Sequence, residues 1–264
     1  MCSYHINSRE RTPNMRRNIR KDRLTNMDRL KEVATALLFQ EPVQCETIGF
    51  VVYHPFTNSN MVAIHDKETG ETKIIDIIND VDGRRLWMIE IRSMIEKATE
   101  PYHIIMLMNK PYYFAFIKFA HYYMSNKDLA QILSHAWVCV EYSNDDKNLR
   151  PNELIHLFES LPMDLLMTEE DKQLWDTLPE TIMIFRGVNK HNESSVGTAL
   201  SWTLNPETAK WFANRFDDKH EGKVYCQTVN KSDVLAFFNT RNEMEVIIRP
   251  TGKELLYREP GTLT

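Results

Sequence analysis

Hydrophobic residues recur along the first hundred residues with two different periodicities, one helical and one typical of strands. From Asp22 to Phe39 they return at every third or fourth position, which predicts an amphipathic helix. From Thr47 to Ile78, short apolar runs separated by turn residues predict a three-stranded meander, in which Met61–His65 pairs back on Thr47–His54. The helical spacing returns at Arg84–Ala98 and predicts a second helix. Its predicted inward residues are Leu86, Ile89, Met94 and Ile95.

The rest of the chain changes from helical to β-rich. Residues 101–178 keep the helical spacing and predict an all-helical block. The predicted helices are Pro111–Met124, Lys127–Trp137, Pro151–Leu161 and Thr168–Leu178. In the last third, the predicted strands are Thr181–Phe185, Leu200–Thr203, Lys223–Val229, Val234–Phe238 and Glu245–Arg249, with one helix at Glu207–Arg215.

These elements predict an α+β protein with three parts. Residues 1–21 form a basic flexible arm, and residues 22–100 form a small N-terminal α/β region of helix, meander and helix. Residues 101–264 form the main domain, in which a helical lobe at 101–178 precedes a β-rich part at 179–264.

The glycine content excludes the common nucleotide-binding loops. The 264 residues include only eight glycines, and no two of them are closer than nine positions. A Walker loop, a GxGxxG turn and a GxSxG nucleophile elbow each need glycines only a few positions apart. A nucleotide bound by this chain must therefore be held in another way.

The cysteines and the apolar pattern bear on the cellular compartment. The four cysteines form no CxxC pair, so we expect no thiolate metal site and interpret them as reduced thiols. Polar residues interrupt the most apolar stretch, His103–Met124, and the sequence starts with no apolar signal core. We therefore expect a cytoplasmic protein that binds no metal and no membrane.

Charge is unevenly distributed along the chain. The net charge is −5, yet residues 1–31 carry nine Lys or Arg and only three acids. Three interpretations stay open: a solvated tail, an arm folded back on the acidic body, or a nucleic-acid contact with steep salt dependence. Tyr4 is the one aromatic residue of this segment, so a base-stacking surface is not indicated.

Three stretches place polar groups where the pattern predicts buried strands. Arg186-Gly187 follows an apolar run and would put a phosphate-binding guanidinium at a sheet edge, beside a backbone that a ligand can approach. Ser201 and Thr203 flank Trp202, so alternation gives both hydroxyls one face if the indole points to the core. Taken alone, each stretch also fits an exposed strand end or the polar face of an edge strand.

The third stretch is Glu243-Met244-Glu245. Two carboxylates two positions apart on a strand would share a face. Like charges so close raise each other's pKa unless a cation or a hydroxyl binds them, and such crowding is typical of functional sites. An exposed strand start would have the same residues.

The three stretches in this order resemble mono-ADP-ribosyltransferases of the Arg-Ser-Glu class. The matching features are an arginine ending one strand, Ser-x-Thr on a second strand followed by a helix, and Glu-x-Glu on a third strand. The resemblance covers about residues 180–250 directly, and residues 101–178 fit the preceding helical lobe by architecture. It implies an ADP-ribosyltransferase-like split β-sandwich with NAD as substrate. The whole chain also resembles bacterial or prophage proteins that carry this domain.

The resemblance implies a role for each matching residue. Arg186 would bind the NAD phosphates, and the backbone of Gly187 would hold the nicotinamide carboxamide. Ser201 would orient the nicotinamide ribose and the catalytic glutamate, with Thr203 as a further cofactor-binding residue. Glu245 would hydrogen-bond the ribose hydroxyl and stabilise the oxocarbenium-like transition state as nicotinamide leaves.

Glu243 stands where the family has its acceptor-activating residue. A glutamate there indicates an arginine side chain as acceptor, because a guanidinium needs a carboxylate to orient and deprotonate it. Residues 237–242 would form the acceptor-recognition loop. The second motif departs from the family's usual Ser-Thr-Ser, since Trp202 and Thr203 take its last two positions.

The expected activity is cleavage of NAD and transfer of ADP-ribose to a macromolecule, with a protein favoured over a nucleic acid as acceptor. Two alternatives stay open. One is an NAD glycohydrolase on the same scaffold, which needs Glu245 but not Glu243. The other is a non-catalytic module that binds NAD or a partner, against which the joint presence of Arg186, Ser201 and Glu245 argues.

Overall fold

The chain folds into two compact units of mixed helix and sheet, which confirms the α+β prediction. Of the described residues, the N-terminal unit comprises 20–156 and 164–166, and the C-terminal unit comprises 18–19, 157–163 and 167 onward. Most of the predicted basic arm, residues 1–17, lies outside the described residues. The computed structural model describes residues 18–65, 69–140, 146–190, 192–215 and 222–258.

The N-terminal unit is a helical assembly with two small antiparallel sheets. Its first helix packs against the next three, so the boundary predicted between residues 100 and 101 falls inside this unit. The helices are α1 (Met27–Leu38), α2 (Val81–Lys97), α3 (Pro101–Ile105), α4 (Tyr113–Ala120), α5 (Asn126–Cys139) and α6 (Pro151–Glu159), the last of which runs on into the C-terminal unit. The strands are β1 (Val43–Gln44), β2 (Val51–His54), β3 (Thr57–Ser59), β4 (Met61–His65) and β5 (Thr72–Asp76).

The predicted meander is wrong in its pairing. The tight turn at Pro55-Phe56 returns the chain at once, so β2 pairs with β3 through His54 and Thr57. Residues 61–65 are then left to pair with β5 over five residue pairs. Two sheets, β1-β2-β3 and β4-β5, therefore replace the single three-stranded one.

The buried face of α2 also differs from the prediction. Ile95 points into the core as predicted, whereas Leu86, Ile89 and Met94 are exposed and Trp87 is buried instead. The buried positions Gly83, Trp87 and Ile95 are separated by multiples of four residues, so the buried face shares Ile95 alone with the predicted one.

The described end of the predicted arm is held in place. Arg20 Nε donates to the side chain of Asn126 over 2.7 Å, and its Nη1 donates to the carbonyl of His121 over 2.8 Å. The first helix starts at Met27 instead of Asp22, because the Asn26 side chain caps it by accepting from the Arg29 amide.

The C-terminal unit is built on one antiparallel sheet of six strands. The short helix α7 (Met163–Leu166) precedes its elements. They are α8 (Glu169–Thr177), β6 (Thr181–Val188), β7 (Ser201–Thr203), α9 (Pro206–Asn214), β8 (Lys223–Asn230), β9 (Val234–Phe238), β10 (Glu245–Ile248) and β11 (Leu255–Leu256). The strand order is β11-β8-β6-β7-β10-β9, and every pairing is antiparallel.

One face of this sheet carries the hydrophobic core of the unit. Ile182, Ile184, Trp202, Phe237 and Val246 are buried there, and α8 adds Trp175 to the same cluster. The other face receives α9, whose backbone lies against β6. Helix α8, predicted as the end of a helical lobe, belongs to this unit. None of the helices among the residues described here has the length and apolar character needed to cross a bilayer.

Candidate functional site

The sheet brings the three predicted motifs onto neighbouring strands. Arg186 lies on β6, Ser201 begins β7 and Glu245 begins β10, and these strands are adjacent in the order β6-β7-β10. They come from distant parts of the sequence. Antiparallel pairing places Thr203 between its neighbours Phe185 on β6 and Glu245 on β10.

The centre of the site is a hydrogen bond between Ser201 and Glu245. The Ser201 hydroxyl donates to the Glu245 carboxylate, with 2.5 Å between Oγ and Oε1. Glu245 is only 9% exposed and lies at the start of β10 between Thr203 and Phe238. A carboxylate buried to this degree is costly without hydrogen-bond donors, so the serine hydroxyl both orients it and offsets part of that cost.

Arg186 is joined to this pair through the backbone. Its Nη1 donates to the Ser201 carbonyl oxygen over 2.6 Å. The prediction that Arg186 ends a strand at a sheet edge is wrong, because β6 continues to Val188 and has β8 on one side and β7 on the other. Alternation places Arg186 on the face of β6 that also carries Ile182 and Ile184 of the core.

Gly187 makes room for a helix. A Cβ atom there would lie 1.8 Å from the carbonyl oxygen of Ala209 and 2.6 Å from the amide nitrogen of Ala213, both on α9. Gly222 faces the same helix, with a Cβ only 2.2 Å from the carbonyl oxygen of Ala213. We expected a ligand to lie close to the Gly187 backbone, but α9 fills that space.

The second motif has the predicted alternation. Trp202 is buried in the core and its Nε1 donates to the Ala199 carbonyl oxygen over 3.2 Å. Thr203 is also buried, and its hydroxyl has two partners inside the protein. It donates to the Glu243 carbonyl oxygen over 2.5 Å and accepts from the Asn205 amide over 3.0 Å. Thr203 therefore fixes the backbone that carries Glu243.

Glu243 does not share a strand with Glu245. Strand β10 begins at Glu245, and the two residues that flank Glu243, Asn242 and Met244, have φ angles of 56° and 47°. This left-handed conformation breaks the alternation on which the shared-face prediction rested. Non-glycine residues hold it only where the surroundings fix them, and it is found often at functional sites.

We define the Glu243 loop as residues 239–244. Asn239 closes it twice, since its Oδ1 accepts from the Met244 amide over 3.1 Å and its carbonyl oxygen accepts from the Asn242 amide over 2.8 Å. The buried carboxylate of Asp171 anchors the loop from α8 by accepting from the Asn239 amide over 3.1 Å. Within the loop, Arg241 Nη2 lies 2.9 Å from Glu243 Oε2.

Sequence reasoning missed two further residues near Arg186. Tyr225 pairs directly with Arg186 across β6 and β8, so the two side chains share a face of the sheet. The Tyr225 hydroxyl donates to Glu193 Oε1 over 2.9 Å. Hydrogen bonds from Lys223 and from Tyr225 hold the pKa of the Glu193 carboxyl below its ordinary value. No sequence signal marks this group, because it depends on strand register.

The described residues contain no group of three or more histidine, cysteine, aspartate or glutamate side chains arranged to hold a metal ion. The arrangement comprises a buried Glu245 carboxylate bound by the Ser201 hydroxyl, and a second carboxylate, that of Glu243, already bound to an arginine. The Arg186 guanidinium binds the Ser201 carbonyl oxygen, but strand register places its side chain on the opposite face of the sheet from Glu245. A scan against protein-family models matched none, and searches of curated proteins and of solved structures found no match.

Proposed function

We propose that the C-terminal unit is a mono-ADP-ribosyltransferase of the Arg-Ser-Glu class, with an ADP-ribosyltransferase-like split β-sandwich as its fold. It cleaves NAD at the bond between nicotinamide and ribose and transfers ADP-ribose to an arginine side chain of a protein. The observation that carries this proposal is the hydrogen bond from Ser201 to the buried Glu245 carboxylate, where β7 pairs with β10. A carboxylate held by a serine hydroxyl on a neighbouring strand supports the role that the resemblance assigns to Glu245.

Glu245 supplies the electrostatic part of the reaction. As nicotinamide leaves, positive charge develops on the ribose carbon and ring oxygen. A preorganised carboxylate stabilises that charge without having to reorganise at the moment of reaction. The Ser201 hydroxyl supports this role, because its hydrogen bond fixes the orientation of the Glu245 carboxylate.

Arg186 binds the diphosphate of NAD in this proposal. A guanidinium pairs well with phosphate oxygens, and the bond to the Ser201 carbonyl oxygen connects Arg186 to the backbone of β7. Gly187 and Thr203 are assigned to NAD by the resemblance. Their contacts with α9 and with Glu243 give each of them a packing role as well.

Glu243 orients the acceptor. Its side chain is 23% exposed, and it already binds a guanidinium, that of Arg241, at 2.9 Å. A carboxylate that pairs with an arginine of its own chain has the chemistry needed to pair with an arginine of another protein. This contact supports arginine as the acceptor.

The test is incubation of the purified full chain with NAD labelled in the adenosine half, together with a cell lysate. We expect released nicotinamide and label on lysate proteins, and Glu245→Gln should lose both because the isosteric amide has no negative charge. Glu180→Gln is the matched control, since it removes an exposed carboxylate of the same unit. Equal activity of Glu245→Gln and the unchanged chain would overturn the proposal.

Other outcomes separate the alternatives. Glu243→Ala should remove transfer and leave slow NAD hydrolysis, because only the acceptor step needs that carboxylate. Nicotinamide release without any transfer by the unchanged chain would indicate a glycohydrolase. No release and no thermal shift with NAD would indicate a module that does not bind NAD.

A further inference from the structure

We propose that the N-terminal unit binds single-stranded nucleic acid at one exposed surface. We call it the Tyr122 surface, and it consists of Lys21, Arg23, Phe119, Tyr122 and Tyr123. The basic segment at residues 1–31 has only one aromatic residue of its own, but the fold places three exposed rings beside its described end. The inference does not depend on the proposed activity, because all five residues belong to the N-terminal unit.

Two hydrogen bonds hold the basic segment beside the aromatic residues. Arg23 Nη1 donates to the Tyr122 carbonyl oxygen over 2.6 Å, and the Asn26 amide donates to the Tyr123 carbonyl oxygen over 2.8 Å. A guanidinium has five N–H donors, so Arg23 keeps donors for a phosphate while it makes this bond. Cationic and aromatic side chains are therefore neighbours in the folded unit, although about a hundred positions separate them in the sequence.

The three aromatic side chains are exposed to solvent. Phe119, Tyr122 and Tyr123 are 55%, 62% and 37% exposed. Phe119 lies in the last turn of α4 and Tyr122 lies three positions later in the short 3-10 helix that follows, so the two share a face. The centroid of the His121 ring is 3.8 Å from that of Tyr122, which supports the tyrosine ring from one side. Exposed rings of this kind are the groups on which single-stranded bases stack.

The charge beside these rings is positive. Residues 18–31 carry five Lys or Arg and two acids. One of these acids, Asp22, binds the start of α5 by accepting from the Asn126 amide over 2.7 Å. The net charge of the chain is −5 and residues 1–31 contribute +6, which leaves −11 for the rest. A polyanion is therefore attracted to this segment and repelled by the remainder of the chain.

Rings and cations together favour a single strand over a duplex or a membrane. In a duplex the base faces stack on each other, whereas unpaired bases can stack on aromatic side chains while Lys and Arg bind the phosphates. An anionic membrane would attract the same cations, but its broad charged surface would also meet the acidic remainder of the chain. We therefore expect stacking on the rings, and not burial of apolar area, to determine the affinity.

The experiment measures binding of the purified full chain to fluorescein-labelled single strands of RNA and of DNA by fluorescence anisotropy. Strands of about 12 nucleotides suffice, because single-strand sites of this kind span about 4–16 nucleotides. Tyr122→Leu keeps the apolar bulk but removes the ring, so it should weaken binding about tenfold, whereas Tyr122→Phe should bind like the unchanged chain. Phe50→Ala is the matched control, since Phe50 is 69% exposed on the same unit and lies outside the Tyr122 surface.

The dependence of binding on salt tests the cationic part of the surface. The logarithm of the binding constant should fall linearly with the logarithm of the salt concentration. Lys21→Gln should make this slope less steep by about 0.7, the contribution of one phosphate contact on a single strand. Lys97→Gln, which removes an exposed lysine at the end of α2, should leave the slope unchanged.

Binding to either single strand with these effects supports the inference, and the RNA and DNA arms identify which strand is preferred. Equal binding by Tyr122→Leu and the unchanged chain would overturn it, because the ring would then play no part. Tighter binding to a duplex of the same sequence would also overturn it. Binding to phosphatidylserine vesicles, with none to the oligonucleotides, would assign the surface to a membrane instead.

Discussion

Replacing Gly187 with alanine tests the contact between β6 and α9. The new Cβ would stand 1.8 Å from the Ala209 carbonyl oxygen, whereas ordinary van der Waals contact begins at 3.4 Å. Strand and helix would have to separate by about 1.6 Å, the difference between those two distances. The clashing atoms belong to the helix backbone, so no side-chain rotation can relieve the overlap.

Two opposing effects set the change in the free energy of unfolding of Gly187→Ala. Alanine restricts the unfolded chain and would stabilise the protein by about 0.4–1 kcal/mol at a position without strain. Overpacking costs about 1–3 kcal/mol, and the upper end applies here because only movement of a whole helix relieves it. We therefore expect the free energy of unfolding of Gly187→Ala to fall by about 2 kcal/mol.

Urea unfolding of the full chain measures this difference from the midpoint and slope. Gly197→Ala is the matched control, because a Cβ at residue 197 meets nothing within 4 Å. If Gly187→Ala proves as stable as Gly197→Ala, then α9 does not lie on β6 as described. Loss of NAD cleavage without loss of stability would instead show that Gly187 is kept for a ligand.

Three other expectations concern single side chains. Thr203→Val removes the donor to Glu243 and the acceptor for Asn205, so urea unfolding should show a loss of about 1–3 kcal/mol, and Thr203→Ser should recover most of it. Asp171→Ala removes the Asp171 half of the α8 capping box and the anchor of Asn239, so it should cost about 2 kcal/mol and weaken transfer more than NAD hydrolysis. Equal effects on transfer and hydrolysis would contradict its role in the loop. Burial lowers the pKa of His54 below 6.5, so just below pH 6.5 the unfolded chain binds more protons than the folded one. The contribution of His54 to the free energy of unfolding should therefore be fully present above pH 6.5 and fall as the pH drops below it. A urea midpoint that rises on acidification would refute this.

The local features of the fold were predictable from sequence. The sequence predicts a helix from Thr168, and the structure has a full capping box there between Thr168 and Asp171. The sequence also predicts a helix from Lys127, and the structure starts α5 one residue earlier, with the Ser125 side chain accepting from the Asp128 amide as its cap. Strand pairing was harder, because the partner of β4 was decided by the turn at Pro55-Phe56 and not by the apolar pattern of either strand.

Some features of the candidate site could likewise be predicted from the sequence and others could not. Alternation correctly predicted that Trp202 lies on the opposite face from Ser201 and Thr203, and the structure shows that the indole is the side chain in the core. The conformation of the Glu243 loop could not be foreseen, because methionine and asparagine give little sign that both will adopt positive φ angles. The anchor from Asp171 to Asn239 spans 68 positions of sequence, and no local pattern encodes it.

The position of β7 between β6 and β10 has a consequence for synthesis of the chain. On a ribosome, residues up to 244 can emerge while β10 is still missing, so one side of β7 has no neighbouring strand and β9 lacks its neighbour β10. Exposed strand edges of this kind favour aggregation. Pairing of β10 with β7 covers that exposed edge and at the same time brings Glu245 within hydrogen-bond distance of Ser201. A nascent or truncated chain that lacks β10 therefore lacks the Ser201–Glu245 hydrogen bond and is prone to aggregate, so one strand both protects the sheet edge and completes the candidate site.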